Sequence, residues 1–247
     1  MLEDKRIALF VTCLVDSLSP EIGFAVLEVF EKLNIKLEVP MKQMCCGQPG
    51  FNVGYQKDSV KVALALYQEF KSYDYVVSPS GSCVSMVRNF YPDLLNGHLK
   101  PEAIQAFADK FYELSEFLVD VAEIQQIIGK LDTQVTYHSS CHMTRGLGAK
   151  SQALALLNGI EGLELLPLSC GEDCCGFGGM FSVKLPEMST AMVDEKIAHI
   201  HATGASTVVS GDYSCLMNIK GRMDRLNTKI AAEHYIQTIA RGMAHEN

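Results

Sequence analysis

LEVPMKQMCCG (residues 37–47) and LELLPLSCGEDCCG (residues 163–176) are two versions of one passage: an extended run closed by adjacent cysteines and a glycine. The repeat widens on either side. RIALFVTC (6–13) corresponds to QVTYHSSC (134–141), and YDYVVSPSGSC (73–83) to ASTVVSGDYSC (205–215). Cys13, Cys45, Cys46 and Cys83 therefore have counterparts in Cys141, Cys174, Cys175 and Cys215, at offsets of 128, 129, 129 and 132. Four cysteines in register with shared flanks define two equivalent halves. Of the nine cysteines only Cys170 lies outside the pattern.

Within each half, strand signals alternate with helix signals. Residues 6–12 and 74–78 are apolar and β-branched. Residues 20–33 place Ile22, Val26, Val29 and Leu33 on one helical face, with Pro20 suited to the first turn. Residues 58–70 repeat Val62, Leu66 and Phe70 behind Asp58 as a candidate N-cap. Residues 187–203 and 228–241 have helical character. Such alternation predicts an α/β fold: two pseudo-symmetric Rossmann-like halves, each a parallel sheet flanked by helices. Residues 101–128 have a helical period and no counterpart, which predicts a helical connector. The expected division is 1–98, 99–130 and 131–247.

The chain has 247 residues, 48% hydrophobic and 20% charged, enough to form a packed core and too apolar for wholesale disorder. Its net charge of −8 argues against nucleic acid as a main partner. Mean hydropathy is +0.10, and no apolar run is long enough for a membrane span. The opening MLEDKR does not read as a signal peptide, so the thiols are expected in a reducing compartment. An odd number of cysteines there favours metal or redox chemistry over a disulfide framework.

Cys13, Cys83, Cys141 and Cys215 each follow a strand-like run, and the carboxyl ends of parallel strands are where open α/β sheets build their sites. Cys83 and Cys215 also precede helical runs, whose free N–H groups favour thiolates. The adjacent pairs are informative in themselves. Neighbouring Cα atoms lie about 3.8 Å apart, short of the usual disulfide span of about 4.4–6.8 Å. Mononuclear zinc prefers ligands separated by two to four residues. Four thiolates per half, two of them adjacent, favour a polynuclear iron–sulfur cluster. Zinc in one half and inert thiols are the alternatives. Gly47 and Gly176 allow a tight turn after each pair. Cys170, four residues before Cys174, is either a further ligand or a small buried hydrophobe.

These motifs resemble the cysteine-rich CCG-domain family, whose members include the CCG-containing subunit of heterodisulfide reductase and the iron–sulfur subunit of glycolate oxidase. The resemblance is closest to the lactate-utilisation group, stand-alone proteins with two such halves. It implies iron–sulfur clusters held by Cys13, Cys45, Cys46 and Cys83 and by Cys141, Cys174, Cys175 and Cys215. It further implies a cytoplasmic complex with a ferredoxin-like iron–sulfur protein and a third protein, oxidising L-lactate to pyruvate and so permitting growth on lactate. Service in glycolate oxidation or heterodisulfide reduction is the alternative, and a zinc-binding interaction protein another. The fuller family pattern ends each half in C-x-x-C, but here Ser80 and Asp212 stand where the first of those cysteines would be. A four-cysteine [4Fe–4S] cluster is therefore the expectation, with Asp212 either an oxygen ligand or a turn or cap residue.

Around Cys141 the chain reads YHSSCHMTR. His138 and His142 are candidates to hydrogen-bond cluster sulfurs or move protons, against the alternative of a strand-end cap. Arg145 is a candidate to attract a carboxylate, such as a small 2-hydroxy acid, or the negative charge of a cluster. GFGGMF (176–181) lacks the third glycine of a dinucleotide loop, so no flavin or nicotinamide site is read. The sequence thus predicts an oxidoreductase subunit that passes electrons, rather than a complete enzyme.

Overall fold

The computed structural model describes residues 2–244, and these divide into two compact units between Ala122 and Glu123. The first unit contains three parallel strands in the order β1 (Ile7–Leu9), β2 (Tyr75–Ser78), β3 (Phe111–Glu113). The second contains four parallel strands, β4 (Lys130–Tyr137), β5 (Glu161–Leu166), β6 (Thr207–Ser210) and β7 (Ala231–His234), in the order β5-β4-β6-β7. A single parallel bridge from Ala8 to Glu38 occupies, in the first unit, the place that β5 fills in the second. Each unit is thus the same fold, α/β with helices flanking a parallel sheet. No helix among the described residues is long and apolar enough to cross a membrane.

The repeat is visible in register as well as in order. Ala8 pairs with Val76, and Thr136 with Val208. The N–H of Phe10 donates to the Val77 carbonyl at 2.8 Å, and that of His138 to the Val209 carbonyl at 2.8 Å. Ile7, Ala8 and Leu9 are all buried, as expected of a strand covered on both faces. The helix Pro20–Lys32 begins on its proline and buries Ile22, Val26 and Val29. The helix Gln56–Phe70 starts three residues earlier than an N-cap at Asp58 predicts, with Tyr55 at the cap position. Gly54, at φ 88°, turns the chain just before it, and Asp58 instead pairs with Lys61 inside the first turn.

Two stretches with a helical period contain strands. In the first, Pro101–Ala108 is helical, but Phe111–Glu113 is β3 and the chain resumes helical turns at Leu114. In the second, Ala231–His234 is β7 and the helix begins only at Tyr235. The same device ends both strands. Glu113 accepts the Ser115 N–H at 2.7 Å while Glu116 accepts the Glu113 N–H at 3.3 Å, a capping box. At β7, His234 Nδ1 accepts the Ile236 N–H at 3.2 Å and Gln237 accepts the His234 N–H at 3.0 Å. Pairing with β2 or β6 outweighs the local period, because each strand carries buried side chains into the core.

β3 is therefore part of the first core. The fully buried Phe111 ring meets Phe107 at 4.9 Å, Phe70 at 6.1 Å and Phe10 at 6.3 Å between centroids. Phe111→Ala should destabilise the chain by about 3–5 kcal/mol in chemical denaturation. A loss below about 1 kcal/mol would show that this segment is peripheral.

Candidate metal centres

In the first unit three passages deliver sulfur to one sheet edge. Cys13 opens the helix Cys13–Leu18 just beyond β1. Cys45 and Cys46 lie in the loop before the helix Gln48–Asn52, and Cys83 lies in the helix Gly81–Ser85 beyond β2. Thr12, buried with φ 74°, makes the turn out of the strand in a conformation that a β-branched residue rarely adopts. The Cys13 thiol lies 3.5 Å from Cys45 Sγ, and the Cys46 thiol 3.4 Å from Cys83 Sγ. Each member of the adjacent pair thus faces a different strand-end cysteine. The Gly47 N–H donates to Cys45 Sγ at 3.4 Å, Tyr91 Oη donates to the Cys46 carbonyl at 2.9 Å, and Ser80 Oγ accepts the Cys83 N–H at 3.4 Å.

The second unit repeats the plan. Cys141 follows β4, Cys174 and Cys175 follow β5, and Cys215 lies in the first turn of the helix Tyr213–Arg225 beyond β6. The Gly176 N–H donates to Cys174 Sγ at 3.4 Å, and Asn218 Nδ2 holds the Cys175 carbonyl at 2.8 Å. Cys175 and Cys215 belong to the buried core with Val193, Ile197 and Ile219. One ring nitrogen of His138 and the sulfurs of Cys175 and Cys215 all lie within 4.8 Å of one another. All eight of these thiols are unbridged.

The electrostatics of both clusters favour a bound cation. A hydrogen bond from Cys13 holds the Cys45 thiol down to about 3, and one from Cys141 holds Cys174 down to about 2. Hydrogen bonding to those sulfurs, with burial, pushes Cys13, Cys46, Cys141 and Cys175 upward. Four crowded sulfurs cannot all ionise while they face only one another. Iron at their centre would take all four as thiolates, so the donor set suits an all-sulfur metal group.

The other predicted residues fall in different places. His142 Nδ1 is 3.6 Å from Cys141 Sγ, and Arg145 hydrogen-bonds the same thiol. Asp212 is buried at the N-cap position of its helix and accepts the Ser214 hydroxyl at 2.8 Å. Cys170 is exposed, with φ 54°, on a cavity of about 590 Å³ that includes Leu154, Leu165 and Leu168. His138 is buried, and burial pushes its imidazole down to about 3, so the ring is neutral at neutral pH.

Sequence reasoning missed Lys196. It lies in the helix Pro186–Thr203, is only 1% exposed, and donates to the Cys170 carbonyl. Its charge acts on Cys170, Cys175 and Cys174, and burial lowers its pKa. With Arg145, Cys174 and His199 it lines a cavity of about 300 Å³ that also has Asp173 and Glu195 on its wall. The signal lay in the helix that packs on each Cys-Cys-Gly turn: Lys196 lies seven residues past Ser189, which meets Gly176, as Leu66 lies seven past Ser59, which meets Gly47.

The two glycines differ in how tightly they are held. Gly47 (φ 83°) would place a Cβ 3.5 Å from the Ser59 carbonyl oxygen, whereas at Gly176 (φ 81°) the distance to the Ser189 carbonyl oxygen is 2.6 Å. Gly47→Ala should cost about 1–2 kcal/mol for its left-handed backbone. Gly176→Ala should cost clearly more, since the helix backbone itself must shift. Equal losses in urea denaturation would overturn this ordering.

Comparison with known proteins agrees with this geometry. Residues 7–88 and 135–220 each match the CCG family of cysteine-rich domains. The chain is 42% identical over 240 residues to "Lactate utilization protein A 2" of Bacillus cereus (strain Q1), covering 97% of this chain and 99% of that one. It is 43% identical to "Lactate utilization protein A" of Bacillus pumilus and 44% identical to that of Bacillus licheniformis, each over 235 residues, 95% of this chain and 98% of the relative. Among solved structures, a hypothetical protein from Helicobacter pylori shares the fold, with a TM-score of 0.66 and 12% identity. That match covers 99% of this chain and spans half of the other.

Proposed function

This chain belongs to the CCG family of cysteine-rich domains, and from that premise we propose that it is the iron–sulfur redox subunit of a system oxidising L-lactate to pyruvate. The observation that carries the reading is the doubled arrangement of four sulfurs, each set built from an adjacent pair that faces two strand-end cysteines. The lactate assignment rests on the names of relatives matched along nearly their whole length. In this reading Cys13, Cys45, Cys46 and Cys83 hold iron in the first unit, and Cys141, Cys174, Cys175 and Cys215 hold it in the second. Cys170, exposed on its own cavity, is left out of the ligand set.

When bound, such clusters supply one-electron chemistry. The chain's own residues do the rest. The N–H groups of Gly47 and Gly176 donate to sulfur and favour its charged form. Tyr91 and Asn218 fix the carbonyls of Cys46 and Cys175, and so the direction of each pair. Conversion of lactate to pyruvate releases two electrons and two protons, which this subunit would share with partner proteins, a ferredoxin-like iron–sulfur protein and a third component, in the cytoplasm. Arg145 and His199, on the cavity beside Cys174, offer positive or hydrogen-bonding groups to a small 2-hydroxy acid. Zinc in the second unit is the competing reading. His138 with Cys175 and Cys215 favours it, because a nitrogen and two sulfurs within 4.8 Å also suit a tetrahedral zinc site.

Anaerobic purification should give a brown protein with about 4–8 iron atoms per chain and matching sulfide. Cys46→Ser and Cys175→Ser should each remove the iron of one unit. A colourless protein containing only zinc sinks the cluster assignment. Deletion of the gene should abolish growth on L-lactate and spare growth on succinate; loss of growth on glycolate alone would move the substrate assignment.

A further inference from the structure

The two thiolate centres share one scaffold but not one environment. Phe10 and His138 occupy the same position, since each donates its N–H to the carbonyl of the equivalent residue on the neighbouring strand, Val77 or Val209. Leu66 and Lys196 also correspond. A Cβ at Gly47 would meet Ser59 and Val62, one at Gly176 would meet Ser189 and Met192, and the same count along each helix leads to Leu66 and Lys196. Phe10 and Leu66 are fully buried and apolar, whereas His138 and Lys196 are equally buried and polar. Arg145, which hydrogen-bonds Cys141, stands where the first half has Ser17.

Neither ring nitrogen of His138 has a hydrogen-bond partner among the described residues. A buried imidazole without partners is costly, and such a group in a native fold calls for an ion or acceptor beside it. The acceptors at hand are the Gly171 carbonyl, which faces the ring without forming a well-aligned bond, and sulfur: Cys175 and Cys215 lie within 4.8 Å, and Cys174 and Lys196 both act on the ring electrostatically. Lys196 donates to the Cys170 carbonyl and interacts electrostatically with Asp173, Cys170, Cys175 and Cys174.

Resting on the iron–sulfur reading above, we propose that the two centres are inequivalent, and that the second has the higher reduction potential because His138 and Lys196 stabilise its reduced state. Cluster potentials are set by net charge, hydrogen bonds to sulfur and solvent exposure. The thiolate count is the same in both halves, and so is the glycine N–H to sulfur, at 3.4 Å. The last two cysteines of each set are comparably buried, Cys46 and Cys83 at 2% and 8%, Cys175 and Cys215 at 3% and 6%. The differences that remain are Cys141, less exposed than Cys13, Arg145 for Ser17, the buried Asp212 for Ser80, and the pair of buried polar side chains; Arg145 adds to the effect of that pair and Asp212 opposes it. Reduction adds one electron, and so one negative charge, to a centre without breaking a bond. Hydrogen-bond donors and a cation beside the sulfurs stabilise that added charge, and an aromatic ring and an aliphatic chain do not. An electron from a one-electron donor therefore settles first in the second unit.

The test is a potentiometric titration of the whole anaerobic chain with dithionite, followed by electron paramagnetic resonance. Cys46→Ser and Cys175→Ser assign each signal to a unit. The unmodified chain should show two waves, with the second unit reduced first. His138→Phe and Lys196→Leu, which install the side chains of the first half, should each lower only the second wave. The expected change is at least tenfold in the one-electron equilibrium, or about 59 mV. Lys196→Arg should keep most of the wild-type potential. Coincident waves, the opposite order, or a second wave unmoved by both substitutions overturns the proposal while leaving the iron–sulfur reading intact. Either cysteine variant alone assigns both signals, so the order of waves in the unmodified chain decides the matter even where His138→Phe or Lys196→Leu does not fold. A chain that binds no iron overturns the iron–sulfur reading itself, and this proposal with it.

Discussion

Parallel pairing of two central strands is the constraint on which each site depends. Four sulfurs from three remote passages must meet at one point, and in a parallel sheet neighbouring strands end at the same edge. The backbone bonds from Phe10 to Val77 and from His138 to Val209 set that edge in the two units. Cys13 then falls three residues past Phe10, and Cys141 three residues past His138. A slip of one residue would turn every side chain of the strand to the other face. The burial of Ile7, Ala8 and Leu9, and of Val208, Val209 and Ser210, makes such a slip expensive. The hydrophobic strands thus hold the geometry of the metal donors without touching them.

The adjacent cysteines solve a second problem. Cys13 and Cys83 leave different strands, and one loop must join them. Because Cys45 faces Cys13 while Cys46 faces Cys83, a single dipeptide spans the gap. Adjacent side chains diverge so only if the backbone turns immediately afterwards, and the left-handed Gly47 makes that turn. Its N–H then points back at Cys45. The turn would leave the Cys46 carbonyl buried and unpaired, and Tyr91 supplies the missing donor. In the second unit Asn218 answers the same need at Cys175 from a different helix. The requirement recurs while the residue meeting it changes.

That distinction explains what could be read from sequence. The repeat, the parallel α/β halves and the gathering of eight cysteines at strand ends were legible, because spacing and flanking hydrophobicity report directly on strand ends. β3 and β7 were not. They are three and four residues long, too short for an alternating pattern to outweigh the helical period around them. Their capping signals were present but disguised, as Glu113 with Glu116 in one half and His234 with Gln237 in the other. Lys196 was hidden by a general rule, that a lysine on a helix belongs in water. Only its register against Leu66 turns it inward. His138 was noticed for its place beside Cys141, but its burial and its contrast with Phe10 appear only once the strands are paired.

The contrast between the halves has an energetic side. Full burial of a leucine or phenylalanine side chain contributes about 1.5–3 kcal/mol. The first unit gains this at Phe10 and Leu66, with Phe10 packed edge-on to Phe70 at 5.5 Å. The second unit forgoes it and buries an imidazole and an amino group; the amino group donates to the Cys170 carbonyl, and the imidazole faces the Gly171 carbonyl without a well-aligned bond. Nothing in the fold demands the exchange, since the same scaffold accommodates both choices. The polar pair becomes favourable when negative charge gathers on Cys174, Cys175 and Cys215, where Lys196 and His138 can meet it. The second unit has therefore shifted part of its stability from packing to electrostatics, and its fold is tied more closely than the first to what its sulfurs hold.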